Sequence, residues 1–331
     1  MESSKISKSC MSKEVTEPRD EFQELLDTLP KQRHFDGPYR YHYKDFWCSS
    51  YAVRGIIPFQ RHFEAHDSDI LLATLPKSGT TWLKALIFSI VNRTKFPLSQ
   101  SPLLTTNPHE LVRFFEFDLY SKDEKPNLED LPCPRIFATH VPYNALPQSI
   151  VNSRCRIVYI GRNPLDQFIS YWHFVLKNQY ENSETFSLDE GFELFCRGIQ
   201  NFGPFWDHVL GYWGASIESQ KVLFLKYEDL KEDVTSHVRK LAEFMGFPFS
   251  VEEEKQELVK QISNLCSFEN LKNLEVNRVG GRLVPVVQYS SLFRKGQVGD
   301  WANHLSPSMA DRLEKIMEEK LGGSGLTFNA F

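Results

Sequence analysis

Four short apolar runs, each closed by a polar residue, punctuate this chain. They are Ile70-Leu71-Leu72-Ala73 before Thr74, Arg135-Ile136-Phe137-Ala138-Thr139 before His140, Arg156-Ile157-Val158-Tyr159-Ile160-Gly161 before Arg162, and Val222-Leu223-Phe224-Leu225-Lys226 before Tyr227. Runs of this length predict strands of a parallel sheet buried on both faces. Segments with helical spacing fill the intervals. Phe22 to Leu29 predicts a helix stopped by Pro30, and Trp82 to Val91 predicts another. Asn163 reads as the cap of a helix with Pro164 at its first position, running to about Lys177. Leu188 to Phe202 and Phe205 to Glu218 read as helices parted by Gly203-Pro204. Asp229 and Glu232 read as the start of a helix from Leu230 to Met245 that Gly246 ends. Val251 to Asn264 reads as charged and helical, and a last helix runs from about Ser306 to Leu321.

Strands alternating with helices, without an internal repeat, predict an α/β fold: a single-domain three-layer α/β/α arrangement with a mostly parallel central sheet over residues 21–331. The polar tail 1–20 reads as disordered. The aromatic-rich stretch with Phe35, Tyr39, Tyr41, Tyr43, Phe46, Trp47 and Tyr51 reads as a loop, as do 102–108, 121–134 and 277–291.

Composition narrows the function classes. A chain of 331 residues with 41% hydrophobic content can bury a large core. Its net charge of −5 argues against a general nucleic-acid binder. Six scattered cysteines without a C-x-x-C pair predict reduced thiols in a cytoplasmic protein, neither a disulfide framework nor a zinc site. No metal-ligand cluster stands out. No apolar run is long enough to cross a bilayer, and the acidic N-terminus predicts neither a secretory signal nor a transit peptide.

The chemistry concentrates after the first strand, in Thr74-Leu75-Pro76-Lys77-Ser78-Gly79-Thr80-Thr81-Trp82. A strand, tight turn and helix aim backbone N–H groups and the positive end of a helix dipole at one spot. Lys77 adds an ammonium and Ser78, Thr80 and Thr81 add hydroxyls, while Gly79 lets the backbone approach a ligand. Every group there donates to an anion, and phosphate fits. The spacing differs from G-x-x-x-x-G-K-[ST], because Lys77 precedes the glycine. A plain capping turn would need one hydroxyl, not three beside a lysine. In parallel sheets ligands sit beyond the carboxyl ends of the strands. Those ends here are Lys77 with its hydroxyls, His140, Arg162 and Tyr227. They supply a phosphate cradle, a group titrating near pH 6.5 and a guanidinium suited to a second phosphate, with Arg294-Lys295-Gly296 as a further cationic loop.

With these residues the chain resembles the soluble sulfotransferases that use 3′-phosphoadenosine 5′-phosphosulfate (PAPS), the plant members most of all. Pro76-Lys77-Ser78-Gly79-Thr80-Thr81-Trp82 looks like that family's 5′-phosphosulfate loop, and Arg162-Asn163-Pro164 through Ser170 to Phe174 looks like its 3′-phosphate segment. Tyr227-Glu228-Asp229-Leu230 and Phe293-Arg294-Lys295-Gly296-Gln297-Val298-Gly299-Asp300-Trp301 look like its two later signatures.

The resemblance implies a variant P-loop sulfotransferase fold and sulfuryl transfer to a hydroxyl of a small lipophilic acceptor, leaving PAP. Flavonols come first among the acceptors, then hydroxyjasmonates, brassinosteroids and desulfoglucosinolates. It implies His140 as general base and Lys77 meeting charge on the leaving oxygen. The 5′-phosphate would lie on Lys77 to Thr81, with Trp82 near the adenine. Arg162, Ser170, Arg294, Lys295 and Gly296 would hold the 3′-phosphate, and Tyr227 would contact the adenine. Trp47, Phe115, Tyr171, Phe174 and Phe205 are candidates for an aromatic acceptor wall.

Two features depart from the family. Ala138 stands where a lysine is frequent, and the animal-type dimerisation motif is replaced around Ala302, Ser306-Pro307 and Asp311, which predicts a monomer. Two other readings stay open at this stage: a Mg-dependent small-molecule kinase using Glu228 and Asp229, and a nucleotide-binding protein without catalysis.

Overall fold

The aromatic stretch after Pro30 is not a loop. Following helix α1 (Glu21–Thr28), it forms three antiparallel strands, β1 (Lys31–Arg33), β2 (Tyr39–Tyr43) and β3 (Phe46–Ser49). Tyr39, Tyr41 and Tyr43 alternate with Arg40 and His42, the period of a strand, and Tyr41 faces Cys48 while His42 faces Trp47. A helix absent from the sequence reading follows, α2 (Ser50–His62), capped by the Ser49 hydroxyl, which accepts from Ala52 N–H at 3.2 Å. Gly55 is needed in it: a Cβ there would stand 2.1 Å from the Glu116 carbonyl oxygen. The computed structural model describes residues 21–35, 37–178, 187–284 and 287–328. The tail 1–20 lies outside the described residues.

The predicted apolar runs become β4 (Ile70–Thr74), β6 (Ile136–Thr139), β7 (Arg156–Gly161) and β8 (Val222–Lys226), joined by the two-residue β5 (Arg113–Phe114). Their order is β5-β6-β4-β7-β8 and every pairing is parallel. Burial on both faces explains the unbroken apolar runs. Leu71, Ala73, Phe137, Ile157 and Tyr159 face one core, and Ile70, Leu72, Ala138, Val158 and Ile160 face the other. Helix α3 (Thr80–Asn92) closes the second core through Leu83, Leu86, Ile87 and Ile90. The helices Pro164–Lys177 and Phe205–Glu218 close the first through Phe168, Val209 and Tyr212. Because β6 and β7 flank β4, the carboxyl ends Thr74, Thr139 and Gly161 lie side by side on one edge.

Several boundaries move. The helix expected to start at Asp229 is split: a short helix spans Tyr227–Glu232, and Asp233 caps Val234–Met245 by accepting from Ser236 N–H at 3.0 Å. Gly246 ends that helix at φ 84°, a left-handed value suited to glycine. The helix at Leu188 stops at Cys196, and the charged stretch after Val251 forms two helices, Val251–Lys255 and Leu258–Leu265. Within 277–291 stands a two-stranded hairpin, β9 (Arg282–Val284) and β10 (Val287–Gln288).

Candidate functional site

At the carboxyl end of β4 the backbone turns sharply. Lys77 adopts φ 69° and Gly79 φ 109° before α3 begins at Thr80. A left-handed lysine is uncommon and holds only where its surroundings enforce it. Here Gln167 Nε2 donates to the Pro76 carbonyl at 2.8 Å and Arg162 donates to the Lys77 carbonyl at 3.3 Å. Gly79 has no room for a side chain, since a Cβ would come 2.9 Å from the Tyr227 ring.

This turn opens on a cavity of about 530 Å³, within the usual range for small-molecule sites. Lys77, Gly79, Thr80, Thr81, Trp82, His140, Arg162, Ser170, Tyr227, Arg294, Lys295 and Gly296 all line it. So do Tyr171 and Phe174, two of the five aromatics expected in the wall. Ser78 stands behind the turn, fully buried.

The other three aromatics are elsewhere. Phe115 is buried against Phe59, Phe63 and Phe137, and Phe205 packs with Phe195 and Phe328, both in the large core. Trp47 lies against His42 beside a separate small cluster. The cavity takes Phe114, Phe117 and Phe202 instead, together with His109. Phe114 ends β5, so its side chain points toward the site while that of its neighbour Phe115 enters the core.

The electrostatics of the cavity ask for an anion. Burial, then Arg162, Arg294 and Lys177, push the Lys77 ammonium down to about 7. Among the described residues no carboxylate pairs with it; its Nζ lies 4.3 Å from the centre of the Phe174 ring. Arg162 is nearly buried, lies over the Tyr227 ring at 4.5 Å and donates to the Gln297 carbonyl at 2.8 Å. Arg294 and Lys295 are both held by Asp300. Burial opposes ionisation of Asp300, but hydrogen bonds from Lys295 and Arg294 keep its carboxyl well below the usual range. Four buried polar atoms around the turn and its cations have no partner among the described residues: Ser78 Oγ, Trp82 Nε1, Arg162 Nε and Arg294 Nε. Buried donors without partners are costly unless a ligand meets them.

His140 is fixed from all sides. Its Nδ1 lies 2.6 Å from the Thr74 carbonyl oxygen. A carbonyl only accepts, so Nδ1 carries the proton and Nε2 keeps a free lone pair. Burial first, then Lys84, His208 and Lys77, drives the imidazole down to about 3, so the ring is neutral at any physiological pH. Its backbone N–H donates to Glu116 Oε1 at 2.6 Å, and Thr139 Oγ1 donates to Glu116 Oε2 at 3.0 Å. The His140 carbonyl accepts from His208 Nε2 at 2.9 Å, and the Val141 carbonyl accepts from the Tyr212 hydroxyl at 2.7 Å. Phe114 and Phe202 flank the ring at 4.7 and 5.4 Å. Sequence spacing does not reveal Glu116, His208 or Tyr212, because each reaches His140 or Val141 from a distant element.

Ala138 is fully buried and pairs with Phe114 across β5 and β6. The ammonium in this neighbourhood comes from the helix side: Lys84 of α3 lies 3.4 Å from the centre of the Phe114 ring.

A sequence profile described as the sulfotransferase domain matches residues 67–325. Cytosolic sulfotransferase 14 of Arabidopsis thaliana is 51% identical over 315 residues, covering 93% of this chain and 90% of its own length. The crystal structure of an Arabidopsis thaliana sulphotransferase matches with a TM-score of 0.74 and 40% identity, over 92% of this chain and 94% of that one. A mouse sulfotransferase crystallised with PAP matches with a TM-score of 0.68 and 26% identity, over 86% of this chain and 95% of that one.

Proposed function

Since this chain belongs to the sulfotransferase family, we propose that His140 is the base and the Lys77 turn the phosphate cradle of its reaction. The chain is a PAPS-dependent sulfotransferase acting on small-molecule hydroxyls. That membership removes the kinase reading. His140 Nε2 takes the proton of the acceptor hydroxyl as its oxygen bonds to sulfur and the bond from sulfur to the 5′-phosphate oxygen breaks, leaving PAP. The observation supporting this assignment is the Nδ1–H bond to the Thr74 carbonyl, which leaves the Nε2 lone pair open to take a proton in the cavity that Lys77 also lines.

The residues present fit the donor. Lys77, Ser78, Thr80 and Thr81 offer donors to the 5′-phosphate, and Arg162, Ser170, Arg294, Lys295 and Gly296 offer a second anion site. Trp82 and Tyr227, edge to face at 5.6 Å, offer ring surface to the adenine. Lys77 gains its full charge when an anion screens it from Arg162 and Arg294, which suits it to meet charge on the leaving oxygen. Phe114, Phe117, Phe202, Tyr171 and Phe174 give a flat apolar wall suited to a phenol, with flavonols first. The enzyme works in the cytoplasm, in keeping with the five free cysteines among the described residues and its relatives' name; secretion of the chain would overturn that. It works as a monomer, because Ala302, Ser306 and Asp311 are exposed and lack the dimer motif. Light scattering near twice 38.5 kDa would overturn that.

Incubating the protein with labelled PAPS and a panel of phenols, flavonols, steroids and hydroxyjasmonate tests the acceptor class. Label is expected on a planar phenol, whereas transfer only to aliphatic alcohols contradicts the aromatic-wall reading. Arg162→Ala should weaken PAP binding by about tenfold to a hundredfold, the range for losing a charged hydrogen bond of about 1.5–3 kcal/mol. Calorimetry that finds PAP affinity unchanged in this variant refutes the 3′-phosphate assignment.

A further inference from the structure

We propose that Lys84 and His109 are a positioning pair that turns the Thr81 hydroxyl toward the bound 5′-phosphate. The inference rests on the reading of the Lys77 turn as that phosphate's cradle. Lys84 is wholly buried on α3, one turn beyond Thr81 and on the same side of the helix. His109 bridges the two from outside: its Nδ1 lies 3.2 Å from Lys84 Nζ and its Nε2 lies 2.9 Å from Thr81 Oγ1. Among the described residues Lys84 forms no ion pair. Its other close neighbour is the Phe114 ring. An ammonium buried this way costs stability that a methionine would not.

With Lys84 charged, the chain of hydrogen bonds has one direction. An ammonium only donates, so His109 Nδ1 accepts. Burial, with Lys84 next, holds His109 well below its ordinary value, so the ring is neutral and its proton is on Nε2. Nε2–H therefore donates to Thr81 Oγ1. With that lone pair engaged, the Thr81 O–H is left to donate elsewhere, and Thr81 lines the cavity. Burial lowers Lys84 to about 7, against the pull of Asp118 and Glu116. His109 is itself anchored, because its backbone N–H donates to Asn107 Oδ1 at 2.9 Å and Asn107 donates to Asn277 Oδ1 at 2.8 Å.

The test is a double-mutant cycle of Lys84→Met and Thr81→Val, read by PAP calorimetry, steady-state kinetics and melting temperature. Lys84→Met should weaken PAP and raise KM for PAPS by about fivefold, the scale of one hydrogen bond, with KM for the acceptor unchanged and the melting temperature level or higher. The double variant should bind PAP no worse than Thr81→Val alone, since the lysine acts through that hydroxyl. Unchanged PAP affinity in Lys84→Met, or losses that multiply in the double variant, overturns the proposal. Should Lys84→Met not fold, His109→Leu takes its place in the same cycle, with the same outcomes. If Thr81→Val and Lys77→Ala both bind PAP normally, the cradle reading itself has failed; normal binding in Lys84→Met alone refutes only the positioning pair.

Discussion

His140→Ala is expected to lower kcat by about a thousandfold, within the range for losing a general base, while PAP affinity stays within about twofold of the original. The separation is expected because the strand end does not depend on the imidazole. Glu116, His208 and Tyr212 hold backbone atoms of His140 and Val141, and alanine keeps all of them. What is lost is the Nδ1–H bond to Thr74 and ring contact with Phe114 and Phe202. A companion expectation follows from burial. The His140 imidazole is neutral above about pH 3 in the free enzyme, so kcat/KM, which reports free-enzyme groups, should not fall as pH drops through 6.5 if it is the base. Turnover unchanged in His140→Ala contradicts its role, and so does lost PAP binding in a variant that still melts normally.

Lys77→Ala should damage both terms. Removing one preorganised donor to developing charge costs about a hundredfold to a thousandfold in rate, and PAP affinity should fall with it. The variant should be no less stable than the original. Lys77 sits among Arg162, Arg294 and Lys177, which with burial depress it to about 7. A lysine depressed on folding costs the native state most below about pH 7, where it is charged in both states, and that cost fades as pH rises from about 7 to 10.5. Its left-handed backbone is already strained with lysine, and alanine adds nothing new. An equal or higher melting temperature with collapsed activity is the expected result, measured by calorimetry beside PAP titration. A variant with normal kcat would place the charge stabilisation elsewhere.

The central sheet was legible because strands buried on both faces leave unbroken apolar runs; β4, β7 and β8 match their predicted stretches to within a residue. The Lys77 turn was legible as strand, tight turn and helix because its residues are adjacent in sequence. The N-terminal sheet was not, since Tyr39-Arg40-Tyr41-His42-Tyr43 alternates among residues that serve equally in loops and strands. Helix α2 carries Gly55 and Pro58, which sequence rules count against a helix. Pro58 lies inside the helix, and Gly55 answers a close approach to Glu116 that only the fold creates. The acceptor wall failed at one-residue resolution: Phe114 and Phe115 are alike in type, and only the face each presents at the end of β5 separates cavity from core. Lys84, His109, Glu116 and His208 were invisible for a related reason. Each matters through a partner that folding brings from another element, and no local spacing marks such a pair.

The central claim is that the Lys77 turn and His140 face a single transferring group. A crystal structure with PAP and the acceptor found by the labelled panel tests it most directly. The account predicts the PAP 5′-phosphate on the backbone and side chains of Lys77 to Thr81, with the acceptor hydroxyl within hydrogen-bond distance of His140 Nε2. A nucleotide bound away from that turn, or an acceptor hydroxyl directed away from His140, contradicts it.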